Sequence, residues 1–598
     1  MKREAALSIR TGTDDFSKLL LEGGVFVDKS LMVRDFLQDS GDVVLVTRPR
    51  RWGKSLNLNM LEHFLSIEVD AAGQPLPPEQ CWQHKLFAGG EVKLITGETR
   101  QLKPLKVAAH TQLMEGYQGR FPVISLTLKS VKATSAYEAI KQGVNKQING
   151  LFKKHKYLLQ SPQLNEDEVA AFKQYAYGSS DDTNLADSLR FLSELLHQHF
   201  GRPAYVFVDE YDTPIHSAFL KFGKHDPAQL EQVLEFFRTL LGAVFKTNPH
   251  LKQGLITGIL RIAKANLFSD LNNVSEYTLL DEPFATCYGF TEAEVVTLME
   301  QVPTKTTLEQ IRHWYNGYTF GGQDVRMYNP WSIMCCLASK GKLDHYWVDS
   351  GGMTLLDEAL RSDEIQQELQ RLVAGGSLEK PIYKQIRFED LSKPAGLYSL
   401  LLFSGYLNPQ LIDSAQDFYR LSMPNHEVQF IYERRVVEWV SSQLDTDIAG
   451  YYPFVSLLTA GKVEAFRARL QEMLQRSTSF HQVGTRRAEL FYSGFVLALI
   501  SLLSGRYHIE SEAESGLGRA DALLLPKPQH GHEALLLEYK VAKEPAALAR
   551  VAQAGLKQLQ EKSYSTKVRA YAHVRSILEV SLAFCGKEVA VCHKRVEL

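Results

Sequence analysis

The spacing of apolar positions changes twice along this chain. Up to about residue 290, short apolar runs that read as buried strands alternate with segments at helical spacing. That is the order expected of an α/β domain with a parallel sheet. The runs are VVLV at 43–46, PVISLTL at 122–128, AYVFV at 204–208 and KQGLIT at 252–257. After the first of them, Leu56, Met60, Leu61, Phe64 and Leu65 recur on one helical face. Residues 69–121, with PLPP and several glycines, read as an insertion or lid. From about 290 the texture is helical, broken by the aromatic loops HWYNGYTF (313–320) and YNPWS (328–332), which are expected to pack between domains. Past 485 an apolar helix precedes strand, turn, strand and helix, the signature of a second, small α/β domain. The expected division is 1–290, 291–480 and 481–598.

Composition narrows the class. A chain of 598 residues with 44% hydrophobic and 23% charged positions is globular and too long for one core. A net charge of −2 exerts no overall pull on nucleic acid, so any such contact needs a local basic patch. Six cysteines without a C-x-x-C pair indicate neither a zinc ribbon nor a thioredoxin-like site, and they fit a reducing compartment. MKREAALSIRTGTDDF at the start has no apolar signal core, and FVLALISLL at 495–503 is too short to span a bilayer. A cytoplasmic protein without membrane attachment is expected. There is no G-x-S-x-G and no H-E-x-x-H, so HQHF (197–200) and HGH (530–532) read as surface features.

Three stretches carry a nucleotide site. VTRPRRWGKS (46–55) departs from G-x-x-x-x-G-K-[ST] only at its opening, where Arg48 replaces the first glycine. Gly53 lets the backbone approach a phosphate, Lys54 reaches the β/γ-phosphates and Ser55 holds Mg²⁺. Arg48 and Arg51 count with them as candidate nucleotide-binding positions. In AYVFVDEYDTPI (204–215) an apolar strand ends at Asp209, suited to the Mg²⁺ shell. Glu210 follows, placed to orient and deprotonate an attacking water; Asp212 reads as a turn residue. In GLITGILRIAKANLFSDLNN (254–273), Thr257 ends a strand where a sensor of the γ-phosphate belongs, between the other two strands. Arg261 reads equally as a phosphate sensor or a solvated helix charge.

A second constellation lies in GRADALLLPKPQHGHEALLLEYKVAK (518–543). Asp521 heads one strand, and Glu538 and Lys540 share one face of the next at i and i+2. Two carboxylates and an amine suit Mg²⁺, which polarises a scissile phosphate while the lysine positions or deprotonates water. On an exposed strand, E-x-K is commonly a salt bridge. Here the apolar ALLL before Glu538 implies a buried strand, where a charge pair needs a reason.

With FVDKS (26–30), YGFTEAEV (288–295), WYNGYTF and YNPWS, the first three stretches resemble the bacterial AAA-ATPase-like family whose loop reads R-P-R-R-[FW]-G-K-S. An arginine at the loop opening is the norm there. The resemblance covers roughly residues 1–345 and implies an additional-strand P-loop ATPase with ATP as cofactor. Asp28 and Lys29 match a motif expected to support the loop. The C-terminal stretch resembles the PD-(D/E)xK nuclease superfamily, with Ala520 in place of the proline, and implies a restriction-endonuclease-like α/β domain. By that resemblance Glu489 in ELFYSGF helps hold metal, Gln558 in LKQLQEKSY supports the site, and Glu514 and Arg519 occupy family positions of unsettled role. The expected function is an ATP-binding and ATP-hydrolysing protein whose nucleotide state regulates a Mg²⁺-dependent nuclease acting on DNA or RNA, with phage defence as the setting. The alternative is an ATP-dependent switch whose nuclease-like fold binds partners without cleaving. No oligomer interface is legible.

Overall fold

Five runs rich in Val, Ile and Leu form the central sheet of the first half of the chain in a computed structural model. It describes residues 9–598 outside 79, 95, 179–180, 224, 261–273, 322–324, 348–362, 374–375, 386–392, 444–447, 477–491, 493, 497, 499–502, 504–505, 513–520, 562–567 and 570. The strands are β1 (Val43–Thr47), β2 (Val123–Thr127), β3 (Ala204–Asp209), β4 (Leu251–Gly258) and β5 (Val274–Tyr277). They run parallel in the order β2-β3-β4-β1-β5. β1 and β3 are buried at every position, as a parallel sheet covered on both faces requires. β4 lies between β3 and β1, which makes this the additional-strand form of the P-loop fold. Val46 pairs with Thr257 and Val208 with Ile256, so the C-terminal ends of the three strands meet along one edge.

The flanking helices are α1 (Lys54–Leu65), α2 (Tyr137–Lys154), α3 (Glu166–Tyr177), α4 (Asp182–Phe200), α5 (Asp212–Phe222) and α6 (Pro227–Phe245). Their starts follow local chemistry. Asn165 and Glu168 close a reciprocal capping box on α3, and Asp226 caps α6 just before Pro227. Residues 69–121 are not a lid. Leu86, Phe87, Val92, Leu102 and Val107 share one apolar core with Val44, Leu61 and Phe64. The aromatic loops bury Tyr315, Tyr318, Phe320 and Tyr328, all within the first of the two units into which the chain packs.

Beyond residue 290 helices predominate, with a two-stranded hairpin (Tyr318–Thr319, Arg326–Met327) and a three-stranded sheet that includes Asn408–Asp413 and Phe418–Ser422. By internal packing the chain divides into two units, Met1–Trp347 with Lys380–Arg420, and Val348–Glu379 with Leu421–Leu598. The second unit contains a sheet of β6 (Tyr507–Glu512), β7 (Asp521–Pro526), β8 (Glu533–Val541), β9 (Ser576–Cys585) and β10 (Glu588–Glu597), in that order. Only β8 and β9 pair in parallel, and helix α7 (Leu548–Glu561) lies between them in the chain. One face of this sheet buries Leu535, Leu537, Val580 and Leu582 against Phe454, Phe466 and Leu470. On the other, Leu523, Leu525, Leu536 and Ile577 meet Leu559 of α7. No helix among the described residues is long and apolar enough to cross a membrane.

Candidate functional site

The first site forms where β1 turns into α1. Gly53 opens the helix with left-handed backbone (φ 86°), a conformation a side chain disfavours, and Lys54 and Ser55 follow as its first residues. Lys54 is buried, and its Nζ donates to the carbonyl oxygens of Arg48 (2.9 Å) and Pro49 (2.8 Å), inside the loop. Burial pulls its ammonium below the ordinary lysine range, against the opposing pull of Asp209, Asp212 and Glu210. Ser55 Oγ donates to Asp209 Oδ2 at 2.5 Å, and Thr257 Oγ1 donates to Asp209 Oδ1. Ser55 of the loop and Thr257 of β4 thus share the Asp209 carboxylate at the sheet edge. Arg51 (φ 65°) and Glu210 (φ 53°) both hold left-handed backbone, strain of about 1–2 kcal/mol each of the kind that collects at functional loops. Thr213 Oγ1 donates to Glu210 Oε2 at 3.0 Å and steadies that side chain.

The two arginines expected to face nucleotide have their side chains committed elsewhere. Arg48 is fully buried, and its Nη1 donates to the carbonyls of Thr47 (2.8 Å) and Tyr277 (3.2 Å). Its guanidinium lies over the rings of Tyr288 and Phe320, and burial pushes it down to about 10. Arg51 stacks on Trp331 at 4.2 Å and donates to the Tyr346 carbonyl. Both side chains brace the loop, so what the loop can offer a phosphate is its backbone and Lys54. Arg261 lies outside the described residues.

Three other features were not read from sequence in these roles. Asp212 is no exposed turn residue. It is buried at the start of α5, and its Oδ2 accepts from the amides of Ile259 and Leu260 (both 2.9 Å), fixing the loop after β4. His216, one turn further along α5, has a buried Nε2 with no hydrogen-bond partner, and burial pulls its imidazole down to about 4. The FVDKS motif closes on distant segments. Lys29 pairs with Glu294 of YGFTEAEV at 2.7 Å, and Asp28 accepts from the Lys106 amide at 2.7 Å.

The second site lies on β8. Glu538 is only 1% exposed, at the end of a strand buried from Ala534 onward. Lys540 Nζ approaches its Oε1 at 2.6 Å and donates to Gln558 Oε1 of α7 at 2.7 Å. Neither oxygen of Glu538 is engaged in a well-formed hydrogen bond. Antiparallel pairing sets Ala522 opposite Leu537, and one further step along the same register sets position 521 opposite position 538. Asp521 thus begins β7 beside Glu538 by backbone position. Glu489, Glu514 and Arg519 fall outside the described residues. A buried carboxylate whose one close charged neighbour is an ammonium, at the register position of a second acid, has the oxygen chemistry that suits a hard divalent cation.

Fold and sites define the class: an additional-strand P-loop protein whose chain also carries a nuclease-like α/β domain. Family models agree on both halves. One described as a predicted AAA-ATPase matches residues 10–76 and 97–268, and one for the PD-(D/E)XK nuclease superfamily matches residues 487–594. One segment of the chain thus matches AAA-ATPase-like proteins and another the PD-(D/E)XK nucleases, which supports a nucleotide-binding, nuclease-like protein. Among curated proteins it is similar to an uncharacterized protein in the vnfD 5′ region of Azotobacter chroococcum mcd 1. The two are 27% identical over 408 residues, 66% of this chain and 72% of that protein.

Proposed function

We propose that this protein binds and hydrolyses ATP at the Gly53–Ser55 turn, that it cleaves nucleic-acid phosphodiesters at Glu538 and Lys540 with Mg²⁺, and that its nucleotide state sets the cleavage rate. The observation that carries the reading is Glu538, a carboxylate 1% exposed with no well-formed hydrogen bond to either oxygen. Burying such a group costs several kcal/mol, which the single contact with the Lys540 ammonium offsets only in part and a bound cation would offset further. Asp521 and Glu538 would hold the cation, which when bound polarises the phosphate and acidifies a water. Lys540, held by Gln558, would orient that water or take its proton. In the loop, Lys54 would exchange the carbonyls of Arg48 and Pro49 for phosphate oxygens. Ser55 and Asp209 would hold the nucleotide's Mg²⁺, Thr257 would steady Asp209, and Glu210 would orient the attacking water.

Two facts favour coupling. The chain passes between the units three times, after Trp347, Glu379 and Arg420. The residue at the first crossing, Trp347, also touches the loop. Trp347 Nε1 donates to the Arg50 carbonyl at 3.2 Å and its ring packs on Tyr406, while a Cβ at Gly405 would come within 2.9 Å of Pro49. A loop that closes on phosphate would therefore shift the chain that leads into the second unit. We infer a cytoplasmic role in defence against phage from the pairing of the two chemistries in one chain.

The test is cleavage of DNA and of RNA by the purified full chain with Mg²⁺, with and without ATP or ADP. Glu538→Ala and Lys540→Ala should abolish cleavage while leaving the protein folded, and Lys54→Ala should remove ATP turnover and the response to nucleotide. Undiminished cleavage by both nuclease-site variants would sink the assigned centre. Cleavage indifferent to nucleotide in the wild type would sink the coupling.

A further inference from the structure

Ser581 lies beside Glu538 on the neighbouring parallel strand, in direct register with it. Parallel neighbours stand about 4.8 Å apart. Ser581 is fully buried, and its hydroxyl has no hydrogen-bond partner. Helix α7 closes over the same spot. A Cβ at Gly555 would collide with Ser581 Oγ and come within 3.5 Å of Lys540 Cγ, so only glycine lets α7 sit this close. Gly555 and Gln558 are i and i+3 on one helical face, and Gln558 accepts from Lys540. Two buried polar groups without well-formed hydrogen bonds, a hydroxyl donor and a carboxylate acceptor, therefore sit side by side under one helix.

We propose that Ser581 is a positioning residue for Glu538. This rests on the reading of Glu538 as a cation-holding carboxylate. Without a cation, Lys540 lies against Glu538 Oε1. With one Glu538 oxygen given to a cation, the other would need a donor to keep the carboxylate's orientation, and Lys540 would be available for substrate. The Ser581 hydroxyl is the unspent donor at that register, and ligating carboxylates are held by such outer partners.

The experiment is a Mn²⁺ titration of the full chain followed by electron paramagnetic resonance of the free ion, in a Ser55→Ala background that silences the loop's cation site. Ser581→Ala should weaken Mn²⁺ binding by about 10-fold, at the lower end of what outer partners contribute, with the melting temperature in EDTA no lower than that of the background. Gly555→Ala, which displaces the hydroxyl without removing it, should also weaken binding, and adding it to Ser581→Ala should cost nothing more. Mn²⁺ affinity within about twofold of the background in both single variants would overturn the role given to Ser581. Glu538→Gln keeps the two layers apart: if it too leaves Mn²⁺ binding intact, the underlying reading of Glu538 fails as well.

Discussion

Glutamine at position 538 keeps the shape of the native side chain and removes its charge, and stability then reports what the charge is for. Glu538 is 1% exposed, whereas the Lys540 side chain is 20% exposed and keeps Gln558 as a partner. Desolvating an ion costs several kcal/mol, and a single approach at 2.6 Å to a partly hydrated ammonium offsets only part of that. Glu538→Gln should therefore stabilise the cation-free protein by about 1–2 kcal/mol. At about 2–4 °C per kcal/mol for a unit of about 200 residues, that is a rise of roughly 2–8 °C in Tm. Saturating Mg²⁺ reverses the order. At 100 times its Kd a ligand adds about 2.7 kcal/mol to the protein that binds it and nothing to the variant that does not. The assay is calorimetry of both proteins in EDTA and in MgCl₂, with cleavage followed in parallel. A variant that melts below wild type in EDTA would show that the carboxylate is a structural ion-pair partner. Equal Mg²⁺ shifts in the two proteins would show that it holds no cation.

Lys54→Met removes a buried ammonium that bonds two loop carbonyls; ATP affinity should fall about 10- to 100-fold, the worth of a charged hydrogen bond, and fluorescent-nucleotide binding at wild-type strength would deny the loop its role. Trp347→Ala deletes a buried ring and its bond to the Arg50 carbonyl, so unfolding should become easier by about 3–5 kcal/mol; unchanged nucleotide dependence of cleavage in that variant would remove Trp347 from the coupling. Burial pushes the Glu433 carboxyl up to about 7 from an ordinary 4.5. The folded state then binds more protons than the unfolded one across that window, and stability present below pH 4.5 is lost as pH rises through 7. Denaturant titrations at several pH values should show this slope, and Glu433→Gln should flatten it.

Much of this molecule is visible in local pattern. The apolar runs gave four of the five central strands to within one residue at either end, the G-K-S match located Ser55, and strand ends located Asp209 and Thr257. The fifth strand, VSEY, escaped because it lies at the sheet edge and every position is half-exposed, so it carries no apolar run. Asp212 was mistaken for an exposed turn residue because burial depends on what packs over it, here the loop after β4. Arg48 looked like a phosphate ligand because sequence shows a charge beside the loop and not the direction of its side chain. Ser581 and Gly555 had no signal at all: a lone serine in an apolar strand and a lone glycine in a helix are ordinary in sequence.

Sequence alone determined the periodicities, the punctuation of helices and strands, and the chemistry available at each strand end, because all of these depend on neighbours a few residues away. Tertiary structure alone decided that Ser55 and Thr257 meet on one carboxylate, that Ser581 lies beside Glu538, and that the two units are interleaved along the chain. Those outcomes depend on which distant apolar faces cover one another. That choice is made by summed burial over the whole core, and no local stretch of chain encodes it.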